Sequence, residues 1–113
     1  MVPDVAEIRE NAQRETLAES IGRLAVALSS LDRPEDVAAL LDDLTTPAEL
    51  TALAERWHVA RLLAAGTLTY RQIHNVTGVS TTTITRVARF LRGGDAGGYR
   101  LTLERLGKKE PVS

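Results

Sequence analysis

The chain contains no cysteine and has few aromatic residues. Among its 113 residues there is no Cys, and the aromatic residues are one Trp, two Tyr and one Phe. The absence of thiols excludes disulfides and thiolate metal sites, and it is compatible with a reducing compartment. The scarcity of aromatic rings also weighs against single-stranded DNA or RNA as a partner, because proteins hold these ligands largely by stacking.

Signals for membrane, metal and enzyme chemistry are missing as well. No run of about 18 apolar residues occurs, and the N-terminal MVPDVAEIRE lacks the basic and apolar regions of a secretory signal. His58 and His74, the only histidines, are predicted on different helices, with no carboxylate between Arg56 and Gly94. No nucleophile triad or phosphate-binding glycine loop is present. We expect a cytoplasmic protein that is not an enzyme, with no metal, no cofactor and no membrane partner.

Charge is divided unevenly along the chain. The formal net charge is −1. Residues 1–46 hold ten acids and four arginines, a net charge of −6, whereas residues 47–113 hold ten Lys or Arg and five acids, a net charge of +5. Such an asymmetry predicts an acidic scaffold and a basic working surface.

The N-terminal part is predicted to be one long helix, from about Pro3 to Ser30. Its apolar residues recur at alternating steps of four and three, which is the pattern of a narrow seam against a partner helix. This leucine seam consists of Leu17, Ile21, Leu24, Leu28 and Leu31. The seam predicts helix pairing between two copies of the chain, and the alternative is an ordinary stripe facing the chain's own core.

Helix start and stop signals divide the middle of the chain. Pro34 opens a short amphipathic helix, and Thr46-Pro47-Ala48-Glu49 has the form of a capping box that begins a longer helix ending at Gly66. The longer helix is predicted to bury Leu50, Leu53, Trp57, Ala60 and Leu63 or Ala64. A last short helix is predicted over residues 99–106, followed by a frayed tail.

The segment TYRQIHNVTGVSTTTITRVARFL, Thr69 to Leu91, predicts two short helices joined by a turn at Gly78. The contacts that lock such a pair are assigned to Ile73, Val76, Val79, Ile84, Val87 and Leu91. The second helix then directs hydroxyls and positive charge outward from Thr81, Thr82, Thr85 and Arg89, with Ser80 and Thr83 near its start. Such a face suits the DNA major groove. The alternative is a helical hairpin that only packs and carries a solvated threonine face.

These residues resemble the Trp repressor superfamily. The stretch ERWHVARLLAAGTLTYRQIHNVTGVSTTTITRVARFLRGG is similar to its smaller YerC/YecD-type, Trp-repressor-related branch. The resemblance covers residues 46–92, about half of the chain, and GVSTTTITR is its most specific part. It implies an all-α multi-helical bundle with a helix-turn-helix, an intertwined homodimer and binding to operator DNA.

The resemblance also implies roles for single residues. It makes Arg71 a phosphate or base contact, aligns His74 with a basic position, and aligns Arg56 and Arg86 with two arginines that embrace tryptophan in the Trp repressor. The next positions depart from the family, because Val87 and Phe90 stand where a small residue and a serine leave room for the ligand. We therefore expect Val87 and Phe90 to fill the pocket, so that tryptophan does not bind. Arg56, Arg86, Val87 and Phe90 remain a candidate pocket for another, unknown effector.

Taken together, these patterns predict a homodimer that binds double-stranded DNA sequence-specifically as a transcriptional regulator, with repression expected, in the cytoplasm and associated with the nucleoid. Within one domain overall, residues 1–45 would form the dimerisation region, 46–92 the helix-turn-helix core, and 93–113 a glycine-rich loop, short helix and tail. The predicted DNA-binding residues are Arg71, Ser80, Thr81, Thr82, Thr83, Thr85, Arg89 and Arg92. The alternative function is a protein-interaction or scaffold dimer that keeps the fold without binding an operator.

Overall fold

A computed structural model describes residues 4–109, with the side chains of residues 9–13 and 109 left aside. These residues form seven helices and no strand, which confirms the predicted all-α class. The helices are α1 Val5–Arg14, α2 Leu17–Ser29, α3 Pro34–Leu44, α4 Pro47–Ala65, α5 Tyr70–Thr77, α6 Thr81–Gly93 and α7 Gly98–Lys109. Pro3, the predicted start of the first helix, and residues 110–113 of the predicted tail lie outside the described residues.

The chain forms two compact units. The first ends at Leu44 and contains α1, α2 and α3, and the second begins at Thr45 and contains α4 to α7. No described helix is both long enough and apolar enough to cross a membrane.

In the first unit, the prediction of a single long helix is wrong, because the helix is interrupted at residues 15 and 16, between α1 and α2. Thr16 caps α2 with its hydroxyl, which accepts from the Glu19 backbone N–H at 3.1 Å, and the Thr16 N–H donates back to the Glu19 carboxylate at 3.4 Å. The Glu15 carboxylate accepts from the Ser20 hydroxyl and pairs with Arg23. A capping box stabilises a helix start only where the cap residue is extended, as Thr16 is, so the helix cannot run through it.

The leucine seam of α2 is largely exposed in the single chain. Leu17 is 77% exposed, Ile21 59% and Leu24 40%, whereas Leu28 and Leu31 are half-buried. Among the described side chains of residues 4–8 and 14–44, none is buried. In its described side chains, the first unit therefore has an apolar stripe but no buried core.

The second unit has a well-defined core. α4, α5 and α6 pack against one another, and α7 packs against α4 and α6. The buried side chains are Val59, Ala60, Ile73, Val79, Ile84, Val87 and Ala88. The ring of Tyr99 in α7 stacks on that of Trp57 in α4, with the ring centroids 6.4 Å apart.

In the second unit, three details of the prediction are wrong, two on which side chains are buried and one on where a helix ends. In α4, Leu53 is 43% exposed, and the helical spacing missed the buried Val59. Of the alternatives Leu63 and Ala64, the half-buried Leu63 packs against the core and Ala64 is exposed. In α5, Val76 is 65% exposed, whereas its neighbour Thr77 is half-buried and donates its hydroxyl to the Ile73 carbonyl oxygen at 2.6 Å. In α7, the helix continues beyond Leu106 to Lys109.

The predicted starts and ends of α4 and α5 are confirmed. Thr46 with Glu49 and Thr69 with Gln72 form capping boxes at the starts of α4 and α5. Gly66 and Gly78 end these helices with φ of 71° and 74°, a left-handed conformation that side chains with a Cβ rarely adopt. These two stops set where α5 begins and ends.

Candidate nucleic-acid interface

α5, the turn at Gly78 and α6 form a helix-turn-helix. The Gly78 N–H donates to the His74 carbonyl at 2.8 Å and closes α5, and α6 restarts three residues later. Ile73 from α5 and Ile84 from α6 are completely buried beside Val79 of the turn. Because α4 packs under both helices, the core holds α6 from one side and leaves its other side in solvent.

His74 stabilises the turn between the two helices. Its ring Nδ1 lies 2.7 Å from the carbonyl oxygen of Val79. A carbonyl oxygen can only accept, so Nδ1 carries the proton in this bond. The family resemblance implied a basic position for His74, and this bond was missed because it depends on how the turn folds back onto α5.

Ser80 and Thr83 are engaged at the start of α6. The Ser80 hydroxyl accepts from the Thr83 backbone N–H at 3.2 Å and donates to the Thr83 hydroxyl at 3.0 Å. Thr83 is half-buried, whereas its neighbours Thr81 and Thr82 are exposed. Two of the five predicted hydroxyl contacts are therefore used locally to cap the helix.

The outward face of α6 forms an open groove of about 430 Å³. The groove is lined by Thr81, Thr82, Thr85, Arg86 and Arg89, and all five residues are exposed. The structure thus brings the predicted base-contacting threonines and one predicted phosphate contact together on one face. Arg86, assigned from sequence to the effector pocket, lies on the same face.

Positive charge near this face is not neutralised. Arg71 lies in the first turn of α5 and Arg89 on α6, and both are exposed. The guanidinium of Arg92 lies 6.0 Å from the centre of the Tyr70 ring, which links the end of α6 to the start of α5. In the described part of the chain no carboxylate forms an ion pair with these three arginines. The face is therefore suited to an anionic partner.

The end of α6 is held by α7. Arg100 donates through Nη2 to the carbonyl oxygens of Arg92 at 2.6 Å and Leu91 at 3.4 Å. A cation at a helix C-terminus is favourable because the last carbonyls lack helical partners. The sequence analysis missed this role, since Arg100 reaches α6 only after the loop of residues 94–97 folds back.

The candidate effector residues have different environments. The guanidinium of Arg86 lies 4.9 Å above the centre of the Phe90 ring, and Arg56 is exposed on α4. Val87 is 1% exposed and belongs to the core, whereas Phe90 is 42% exposed. Phe90 also lines a groove of about 550 Å³ with residues 94–99. The structure therefore unites Arg86 with Phe90 on the surface and leaves Val87 beneath them.

Two comparisons with known proteins agree with this geometry. The family described as Trp repressor protein matches residues 19–107. The uncharacterized protein YerC of Bacillus subtilis (strain 168) is 40% identical over 94 residues, which is 82% of this chain and 88% of that protein. The matched residues include all of α3 to α6 and most of α2 and α7.

Proposed function

Because this chain belongs to the Trp repressor family of DNA-binding regulators, we propose that it binds double-stranded DNA sequence-specifically and represses transcription as a homodimer. The observation that carries the proposal is the exposed face of α6, where three threonines and two arginines line one groove. No Asp or Glu occurs in the sequence between Arg56 and Gly94. The major groove of B-DNA admits an α-helix and displays donors, acceptors and methyl groups that such side chains read.

The two kinds of side chain have separate tasks in this proposal. Thr81, Thr82 and Thr85 contact base edges, while Arg71, Arg89 and Arg92 hold phosphates. Ser80 and Thr83 contribute by fixing the first turn of α6, whose free backbone N–H groups also favour a phosphate. His74 and Arg100 support the recognition helix at its two ends.

The dimer forms through the leucine seam of α2. Leu17, Ile21 and Leu24 expose large apolar surface that a second copy would remove from water. Two-fold symmetry would present the two α6 helices to successive major grooves, roughly 34 Å apart. We propose an intertwined dimer in which residues 1–45 form the dimerisation region. We also propose that the protein acts in the cytoplasm, associated with the nucleoid.

Selection from a random pool of duplex DNA tests the proposal. Protein-bound DNA is sequenced at about 50 mM and about 200 mM salt. We expect an enriched palindromic site that is lost in the double variant Thr82→Ala, Thr85→Ala. The control is Thr102→Ala, because Thr102 is also an exposed helical threonine but lies on α7. With three phosphate-binding arginines per protomer, the logarithm of the binding constant should fall with a slope of about −5 against the logarithm of the salt concentration.

Weak binding with no enriched sequence would contradict the proposal. It would favour the alternative function, a scaffold dimer that keeps the fold and binds protein partners through apolar surface with little dependence on salt.

Tryptophan is not expected to be the effector. Val87 occupies core volume where the family's ligand needs a small neighbour, and the Phe90 ring lies against Arg86. Calorimetric titration with tryptophan should therefore show no stoichiometric complex at micromolar concentration. Such a complex would contradict the expectation that Val87 and Phe90 fill the pocket.

A further inference from the structure

The exposed threonines of α6 differ in what their hydroxyl groups are free to do. The Thr85 hydroxyl donates its proton to the Thr81 carbonyl oxygen, with an oxygen–oxygen distance of 2.9 Å. The hydroxyls of Thr81 and Thr82 make no hydrogen bond within the described part of the chain. Thr85 is therefore the one groove-lining threonine whose donor is already used.

A hydroxyl carries one proton and two lone pairs. Once the proton of Thr85 points back to its own helix, only lone pairs remain for a partner in the groove. Thr85 is exposed and lines the groove with Arg86 and Arg89, so these lone pairs face the surface proposed to meet DNA. Arg86 and Arg89 are donors without any acceptor.

The rest of the helix offers few other acceptors. Between Thr81 and Gly93 there is no Asn, Gln, Asp or Glu, the side chains that usually accept from adenine or cytosine. On α6, therefore, the side chains that can accept a hydrogen bond from a base are the threonines. In the major groove, adenine presents its N6 amino group and cytosine its N4 amino group, whereas guanine and thymine present acceptors and the thymine methyl group.

We propose that Thr85 acts as a hydrogen-bond acceptor that selects an amino base, adenine or cytosine, at one position of each operator half-site. This inference rests on the proposed function and adds the chemistry of one operator position to it. The arginines of the same groove read guanine or phosphate as donors only, whereas Thr85, with its proton engaged, is left as an acceptor only.

Three variants test the assignment in the selection experiment. Thr85→Val keeps the branched shape and removes the lone pairs, and Thr85→Ser keeps the hydroxyl. Thr102→Val is the matched control, because Thr102 is exposed and its hydroxyl also donates to the carbonyl four residues earlier, that of Gly98. We expect wild type to prefer adenine or cytosine at one half-site position by about tenfold. Thr85→Val should lose that preference alone, whereas Thr85→Ser and Thr102→Val should keep it.

A base analogue tests the same contact in the wild-type protein, which keeps the test valid even if a variant folds poorly. The preferred adenine is replaced by purine, which lacks the N6 amino group, or the preferred cytosine by a pyrimidin-2-one, which lacks the N4 amino group. Wild-type affinity, measured by fluorescence anisotropy, should fall about tenfold. Thr85→Val should bind the modified and unmodified sites equally.

Three results would overturn the inference. One is a Thr85-dependent position that prefers thymine or guanine, which would mean that the hydroxyl donates or that the methyl group packs against the base. Another is unchanged wild-type affinity after removal of the amino group. The third is an enriched site at which Thr85→Val and wild type have the same base preferences, and this result would contradict the present inference alone. The absence of any enriched site would contradict the proposed function as well.

Discussion

The two units of this chain contain similar proportions of helix but differ in how they bury apolar side chains. In residues 45–109, Val59, Ile73 and Ile84 are fully buried between α4, α5 and α6. In the described side chains of residues 4–8 and 14–44 none is buried, although α2 carries a continuous leucine seam. Both units have well-formed capping boxes.

The difference shows that local helix signals and a stable tertiary unit are separate properties. Caps and spacing suffice to define a helix, but short helices gain most of their stability from packing. The second unit obtains that packing within one chain. The described side chains of the first unit lack such packing within the unit, and we propose that a second copy of the chain supplies it.

Removing a core side chain should have the largest effect. Ile84→Ala leaves a cavity in the centre of the second unit, so the free energy of unfolding should fall by about 2–5 kcal/mol. Urea denaturation followed by circular dichroism measures this value. Val76→Ala, at a 65% exposed position of the same motif, serves as the control and should change stability by less than about 0.5 kcal/mol. Equal losses in the two variants would contradict the assigned core.

Changing the seam should affect association rather than the fold of the second unit. Leu24→Gln places an amide where the proposed dimer buries a leucine, so the dimer dissociation constant should rise about 10- to 100-fold. Sedimentation equilibrium measures it. Val26→Gln, at a 68% exposed position of α2 outside the seam, is the matched control. If Leu24→Gln leaves the oligomeric state unchanged, the seam does not form the interface.

Removing the N-terminal cap of α4 or of α2 should affect stability differently in the two units. Thr46→Ala and Thr16→Ala each delete a capping hydroxyl, which costs about 1 kcal/mol of helix stability. In α4, which contributes Val59 and Ala60 to the core, the loss should appear in the global unfolding transition. In α2 it should appear as faster amide hydrogen exchange at monomeric concentrations, without a shift of that transition. A global shift from Thr16→Ala would mean that the first unit folds together with the second.

The smallest expected effect is the pH dependence of the α4 cap. The Thr46 backbone N–H and then the Thr46 hydroxyl bond to Glu49 and lower the pKa of its carboxyl below the ordinary 4.5. Since the folded pKa is the lower one, the cap stabilises the protein above about pH 4.5 and loses this contribution as the pH falls through the folded value.

The variant Glu49→Gln isolates this titration. Glutamine can keep the box without a charge, as Gln72 does for α5. The stability difference between wild type and Glu49→Gln should therefore shrink from about pH 7 to about pH 3 in thermal unfolding. A difference that stays constant with pH would mean that the Glu49 carboxylate adds nothing as a charge.

Much of the recognition site was predictable because its signals are local. The turn glycine Gly78, the cap Ser80 and the outward threonines of α6 follow from helical spacing and from bonds between residues three or four apart. The same kind of signal was present at Thr16 and Glu19, yet the continuous seam of α2 suggested one unbroken helix. The seam runs along one face without requiring the helix to extend upstream of Leu17.

Other features depended on neighbours that no spacing specifies. The bond from His74 to Val79 needs the folded turn, and the bond from Arg100 to Arg92 needs α7 to return to α6. The engagement of the Thr83 hydroxyl with Ser80 follows from the rotamers of the cap.

By itself, the sequence determined the all-α class, the start and end of α4 and α5, and the residues that α6 directs outward, because caps, left-handed glycines and helical periodicity act within a few residues. Only the tertiary structure decided that Val59 is buried while Leu53 and Val76 are exposed, and that Phe90 lies under Arg86 on the surface. These outcomes depend on which helix covers a given face, and that is set by packing between segments distant in the chain.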